Sequence, residues 1–203
     1  MKSKIQQLLA EAERQAQFSG TKESSTTSAS QVFPETADAE KFFNNLRQKL
    51  FHIRRWNAKS ALTSFELFDE NGNLCERQSA AVGDFIRLSM VGTGKYDWVK
   101  IIEILDDADE AVVTVQPSYN PAEDETNKDT TSHFFTGDST NNFCLGKNGA
   151  TVNFYVIGLS EKTNTSKTEN IVETIRNAAV ANIGSYLGIQ KAEWKTFCEN
   201  FLK

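Results

Sequence analysis

The apolar residues of the C-terminal segment repeat at helical spacing. From Ile171 to Ile183 they keep to one helix face, and the preceding Ser166-Lys167-Thr168-Glu169 matches a capping box. Gly184 and Gly188 then weaken the middle, where they can bend or break a helix. The pattern predicts a long amphipathic helix in two halves, with the second half packed more tightly. The second half carries a continuous apolar stripe: Trp194, Phe197, Cys198, Phe201 and Leu202.

Two further amphipathic helices are predicted nearer the N-terminus. Residues 2–17 have a narrow apolar face, and a helix this short needs a docking surface on its own domain or on a partner. Residues 38–56 form the second helix, with Asp38 as a possible N-cap. The apolar positions of the first are Ile5, Leu8, Leu9, Ala12 and Ala16, and those of the second are Phe42, Phe43, Leu46, Leu50 and Ile53.

The segment between these helices has a different composition. Residues 19–31 contain no large apolar side chain and are rich in Ser and Thr, which is typical of a flexible linker. We therefore predict an N-terminal helical arm at 1–18, a Ser/Thr-rich linker at 19–31 and a single α+β domain at 32–203.

Residues 62–159 show the two-residue alternation of β-strands. Asp69 to Asn73 and the Asn148-Gly149 pair are turn signals, and residues 118–131 form a long polar loop. The order of strands and short turns predicts an antiparallel meander of about six strands. The segments are 62–68, 84–90, 98–105, 111–115, the pair 133–135 and 142–145 (two strands or one bulged strand), and 152–159.

The order of these elements resembles the helix-grip architecture of the START-like superfamily, also called SRPBCC or polyketide cyclase-like. The matching features are the meander Phe65–Leu159 and the helix Ile171–Leu202. The resemblance implies an α+β fold: a curved antiparallel sheet packed on the long C-terminal helix, with a hydrophobic cavity between them. That superfamily usually begins with a strand, for which only Gln31–Phe33 is available here. The segments at 82–88 and 96–101 also resemble a bacterial family with no assigned activity.

Charge and composition exclude several classes of function. The formal net charge of −5 argues against non-specific nucleic-acid binding by the whole chain. No apolar run approaches the roughly 20 residues that cross a bilayer, so a cytoplasmic location is expected. The three cysteines are widely spaced and imply no disulfide framework.

Catalytic and metal-binding patterns are scarce. Cys144 with His133 is a conceivable pair, but a buried thiol beside a strand histidine is the simpler interpretation. The chain has no zinc-ligand spacing, and Gly92 to Lys95 lacks the remaining residues of a P-loop. We expect no cofactor and no metal. An enzyme is the less favoured class, with His133 and Tyr155 as its only candidates.

Aromatic residues on or beside the strands suggest a deep apolar pocket. The first hypothesis is that a small apolar or amphipathic ligand binds between the sheet and the C-terminal helix, where Ala178, Ala179 and Gly184 leave room. The predicted ligand-binding residues are Trp98, His133, Phe135, Phe154, Tyr155 and Trp194.

The alternative is a protein-interaction module. The N-terminal helix would dock a partner through Ile5, Leu8 and Leu9. The helix at 38–56 would provide a second contact, because six cations and no acid lie between Lys41 and Phe65. Its basic face can equally pair with the acidic loops of the same chain.

Overall fold

Seven antiparallel strands and three α-helices make up the fold among the described residues. The computed structural model describes residues 2–18, 24–60, 62–90, 96–123, 136–162 and 183–203. The capping box at 166–169, Ala178, Ala179, His133 and Phe135 lie outside these ranges. The helices are α1 (Lys4–Phe18), α2 (Thr36–Phe51), a 3-10 helix (Ile53–Ala58) and α3 (Ile183–Phe201).

The strands form one sheet with a simple topology. Their order is β1-β7-β6-β5-β4-β3-β2, and every pair is antiparallel. The sheet curls into a half-barrel. The predicted α+β class, with a curved antiparallel sheet packed on a long C-terminal helix, is confirmed. The strands are β1 (Ser25–Val32), β2 (Thr63–Phe68), β3 (Phe85–Met90), β4 (Tyr96–Asp106), β5 (Glu110–Pro117), β6 (Thr140–Asn148) and β7 (Thr151–Leu159).

The seventh strand comes from the segment interpreted as a linker. From Ser25 onward this segment pairs with β7, in a register that runs from Ser25↔Gly158 to Val32↔Thr151. An edge strand needs backbone hydrogen bonds on one side and few large side chains, which the Ser- and Thr-rich sequence provides. The Cys198 thiol of α3 donates to the Thr27 carbonyl oxygen at 3.7 Å. β1 is also the first strand that the resemblance seemed to lack.

The second helix differs from its prediction at both ends. It begins at Thr36, before the expected cap Asp38, and it makes no side-chain capping bond. It ends where His52 leaves the helical conformation, with φ −99° and ψ 84°. The chain then continues as a 3-10 helix, which buries Trp56 beneath the sheet.

The two faces of the sheet carry separate hydrophobic clusters. The concave face packs against α2, the 3-10 helix and the C-terminal half of α3, and this is the main core. The outer face packs against α1, which buries Ile5, Leu8 and Ala12 on Val112, Cys144 and Ile157. Alternation along each strand therefore decides whether a side chain faces α3 or α1.

Candidate functional site

Aromatic rings fill the middle of the concave face. The Trp56 ring lies 4.4 Å from that of Phe143, and the Phe154 ring stacks on Phe201 at 4.1 Å with an interplanar angle of 12°. Phe197 is fully buried between them. This half of the space between sheet and helix is therefore ordinary packed core.

The composition of the concave face changes beyond Trp194. Its ring packs edge-on against Phe143 at 5.6 Å. Asn141 is the next residue on the same face of β6, about 7 Å along the strand from Phe143. Asn141 is 8% exposed and lies beside Val115 on β5 and Gly158 on β7. A polar side chain thus occupies a buried core position where β6 begins and β7 ends. We call this end of the sheet the open end of the concave face, after its position at the strand ends.

Buried polar atoms at the open end have no hydrogen-bond partner. In the part of the chain that the structure describes, three buried side-chain atoms are unpaired: Asn141 Oδ1, Trp194 Nε1 and Thr136 Oγ1. The Thr136 backbone N–H donates to the Lys162 carbonyl, just past the end of β7, so Thr136 belongs to the same end of the sheet. Buried polar groups in native proteins nearly always have a hydrogen-bond partner, so three unpaired atoms at one end of the sheet need an explanation.

A glycine beside Asn141 lets a carboxylate approach the concave face of the sheet. Gly158 pairs directly with Asn141 and presents no side chain between β1 and β6. A Cβ at this position would collide with the Glu161 carboxylate, which therefore lies against the glycine. The open end consequently combines an amide, an indole N–H and a carboxylate with apolar neighbours such as Val115.

A buried carboxylate holds α3 in place next to Trp194. Glu193 is 8% exposed; its Oε1 accepts the Leu62 N–H at 3.0 Å and the Ser60 hydroxyl. Ser60 Oγ in turn accepts the Thr63 N–H at 2.8 Å. These bonds tie the helix to the start of β2 and fix where the Trp194 ring enters the concave face.

Two of the predicted ligand-binding residues lie on the concave face, and two do not. Phe154 and Trp194 face the space between sheet and helix, although Phe154 is part of the packed half. Trp98 lies on the outer face, because its neighbours Val99 and Ile101 point into the core. Its ring instead packs edge-on against Phe68 at 5.0 Å.

Tyr155 also faces outward, between the inward-facing Phe154 and Val156. It belongs to the cluster under α1, where burial raises the pKa of its hydroxyl. The remaining predicted residues, His133 and Phe135, lie outside the described ranges. The prediction did not include Asn141 and Gly158. It selected mainly aromatic residues, and an amide or a glycine in a strand does not by itself indicate a pocket.

The two buried thiols, Cys144 and Cys198, are poor nucleophiles. Cys144 is fully buried under α1, and burial raises the pKa of its thiol. Burial also raises the pKa of Cys198 to about 12. Among the described residues, no three His, Cys, Asp or Glu side chains come together as a metal site.

The apolar residues of α1 are occupied by its own sheet. Ile5 is 7% exposed and Leu8 is 9% exposed, so neither is available to a partner while the helix is docked. The helix N-terminus is also anchored, because Glu110 accepts the Lys4 and Ile5 backbone N–H groups at 2.9 and 3.1 Å. Of the two docking surfaces considered for this helix, the structure shows its own domain, and it gives no support to docking of another protein through Ile5, Leu8 and Leu9.

The basic helix pairs with acidic residues of its own chain. Arg47 of α2 forms an ion pair with Asp106 at the end of β4. Arg54 of the 3-10 helix lies 3.8 Å from the Glu76 carboxylate. These contacts favour the structural interpretation of the basic stretch over a docking surface.

Comparisons with known proteins bear on the fold. No family model matches the chain, and no curated protein matches it in sequence. The crystal structure of the hypothetical protein jhp0584 from Helicobacter pylori is similar, with a TM-score of 0.53 and 9% identity over 93% of this chain and 91% of that one. The chain has a helix-grip-like fold. At this identity, the similarity extends to the fold alone.

Other solved structures are more distant. Ara h 8.0201 has a TM-score of 0.41 and 13% identity over 88% of this chain and 95% of that one. Protein CV1439 from Chromobacterium violaceum has a TM-score of 0.42 and 10% identity over 88% and 97% of the two chains. These TM-scores are too low to support a conclusion about function. Among the described residues, no helix is long and apolar enough to cross a membrane.

Proposed function

We propose that this protein binds a small apolar or amphipathic ligand between the concave face of the sheet and α3, at the open end next to Trp194. The observation that carries the proposal is the pair of unpaired buried atoms, Asn141 Oδ1 and Trp194 Nε1. A buried polar group without a partner costs about 1–3 kcal/mol. A bound molecule that pairs both groups would remove that cost.

The surroundings fit the usual composition of a ligand site. Such sites are mostly apolar and aromatic, with a few polar groups that fix the orientation of the ligand. Here Phe143, Val115 and the Trp194 ring supply the apolar surface, and the Glu161 carboxylate against Gly158 is a further polar group. The hydrogen bonds of Glu193 would hold Trp194 in place whether or not a ligand is bound.

Neither of the other two hypotheses gains comparable support. The interaction module loses its main contact, because α1 is docked on its own sheet. The enzyme hypothesis rests on Tyr155, which lies under α1, and on His133, which lies outside the described residues. Ligand binding is therefore the function that the described geometry supports best.

Native mass spectrometry tests the proposal on the full chain. The purified protein should carry an adduct under native conditions that is lost on denaturation, or should take up one molecule of the neutral apolar probe N-phenyl-1-naphthylamine. If the protein is free of adducts as purified and also binds no probe, the proposed function is wrong.

A further inference from the structure

The polar groups at the open end restrict the chemistry of the ligand. This inference rests on the proposed function. Trp194 Nε1 is a donor only and Asn141 Oδ1 is an acceptor only, so the ligand must both accept and donate a hydrogen bond. From these groups we infer that the ligand is an uncharged apolar molecule bearing a hydroxyl group.

A hydroxyl group meets the requirement in a way that simpler groups do not. It donates one hydrogen bond and accepts two, so it can pair the indole N–H and the amide oxygen. A ketone or ether would pair Trp194 and leave Asn141 Oδ1 unpaired. A pure hydrocarbon would leave both groups as they are.

A carboxylate ligand is disfavoured by charge as well as by hydrogen bonding. It would place acceptors against Asn141 Oδ1 and close to the Glu161 carboxylate at Gly158. Burying an anion also requires a cationic partner. The described residues that are buried include no lysine and no arginine. The site should therefore discriminate against fatty acids and other anionic amphiphiles.

A cation fits no better. An ammonium group could donate to Asn141 Oδ1 and to the Glu161 carboxylate, but it has no acceptor for the Trp194 N–H, which would stay unpaired with its dipole directed toward the positive charge. A neutral hydroxyl remains the simplest group that leaves neither protein atom unpaired.

The test is a matched set of ligands with one aromatic body. Naphthalene, 2-naphthol and 2-naphthoate would compete at pH 7 against N-phenyl-1-naphthylamine bound to the full-length protein. We expect 2-naphthol to bind about ten-fold more tightly than either of the others, which corresponds to roughly 1.4 kcal/mol.

Two variants assign the preference to the named groups. Trp194→Phe keeps an aromatic ring and removes the N–H, so it should lower the affinity for 2-naphthol to that for naphthalene without changing the latter. Asn141→Leu should do the same. Trp98→Phe is the matched control on the outer face and should leave all three affinities unchanged. Thermal melts of each variant would confirm folding.

The outcomes separate the two proposals. If wild type binds the probe but 2-naphthoate or naphthalene competes as well as 2-naphthol, only the hydroxyl inference is wrong, and a buried water is the partner of the two groups. An unchanged 2-naphthol preference in a folded Trp194→Phe protein would also overturn the inference. If wild type binds neither the probe nor any of the three compounds, the proposed function fails, and the inference with it.

Discussion

Replacing Asn141 with leucine should stabilise the ligand-free protein. Its Oδ1 is buried without a partner, and the residue is 8% exposed beside Val115 and Gly158. Leucine has the same branched shape, although it is larger, and it removes the unpaired acceptor, whose burial costs about 1–3 kcal/mol. The greater strand propensity of leucine adds at most about 1 kcal/mol. We therefore expect the free energy of unfolding to rise by ~1–3 kcal/mol, with Tm rising by roughly 2–4 °C per kcal/mol.

The next residue in the same strand supplies a matched control. Asn142 faces the other way, accepts the Thr114 hydroxyl at 2.9 Å and donates to the Ile157 carbonyl at 3.0 Å. Asn142→Leu makes the same change in strand propensity. It also removes the hydrogen bonds to the Thr114 hydroxyl and the Ile157 carbonyl and leaves these two buried groups without the asparagine. It should lower the free energy of unfolding by about 1–3 kcal/mol.

Urea unfolding followed by tryptophan fluorescence would measure both variants. The difference between them isolates hydrogen bonding, since the substitution and the strand are the same. A loss of stability in Asn141→Leu as large as that in Asn142→Leu would mean that Asn141 is already paired. The reasoning behind the ligand site would then be refuted.

Three further predictions concern packing, thiol reactivity and the docked helix. Phe201→Ala removes one ring of the stacked pair with Phe154 and should cost about 3–5 kcal/mol in urea unfolding; a loss below 1 kcal/mol would show that the stack is not part of a tight core. Cys75 is the most exposed thiol and should react with an aromatic disulfide reagent at pH 8 faster than Cys144 and Cys198, although burial also raises its pKa. A reaction rate that is unchanged in Cys75→Ser would contradict this. Glu110→Gln weakens the hydrogen bonds from Glu110 to the N-terminus of α1 by about 0.5–1 kcal/mol and should speed amide hydrogen exchange in that helix. An exchange rate equal to that of wild type would show that Glu110 does not hold the helix.

The strands with large apolar side chains were predictable, and the Ser/Thr-rich edge strand was not. The segments around Phe85, Ile101 and Phe154 alternate clearly because one side of each faces a core. β1 has no comparable side chain. Its main stabilising contacts are backbone hydrogen bonds to β7, and these leave almost no trace in composition.

The candidate site was only partly predictable for a related reason. Both faces of the sheet are apolar, one under α3 and the other under α1, so aromatic residues alone do not indicate which face they occupy. Trp98 and Tyr155 therefore looked equivalent to Phe154 in sequence. Asn141 and Asn142 cannot be told apart from the sequence either. Only the register of β6 reveals that Asn141 Oδ1 has no hydrogen-bond partner and that Asn142 Oδ1 has one.

The most direct test of ligand binding at the open end is a fluorescence titration with N-phenyl-1-naphthylamine. It would compare wild type with Gly158→Leu, whose side chain displaces the Glu161 carboxylate and takes up the space beside Asn141, and with Gly137→Leu. Gly137 is a suitable control because a side chain there meets open space. Our account predicts saturable one-to-one binding that Gly158→Leu weakens at least ten-fold and Gly137→Leu leaves unchanged. Absence of saturable binding to wild type, or equal binding to wild type and a folded Gly158→Leu protein, would contradict it.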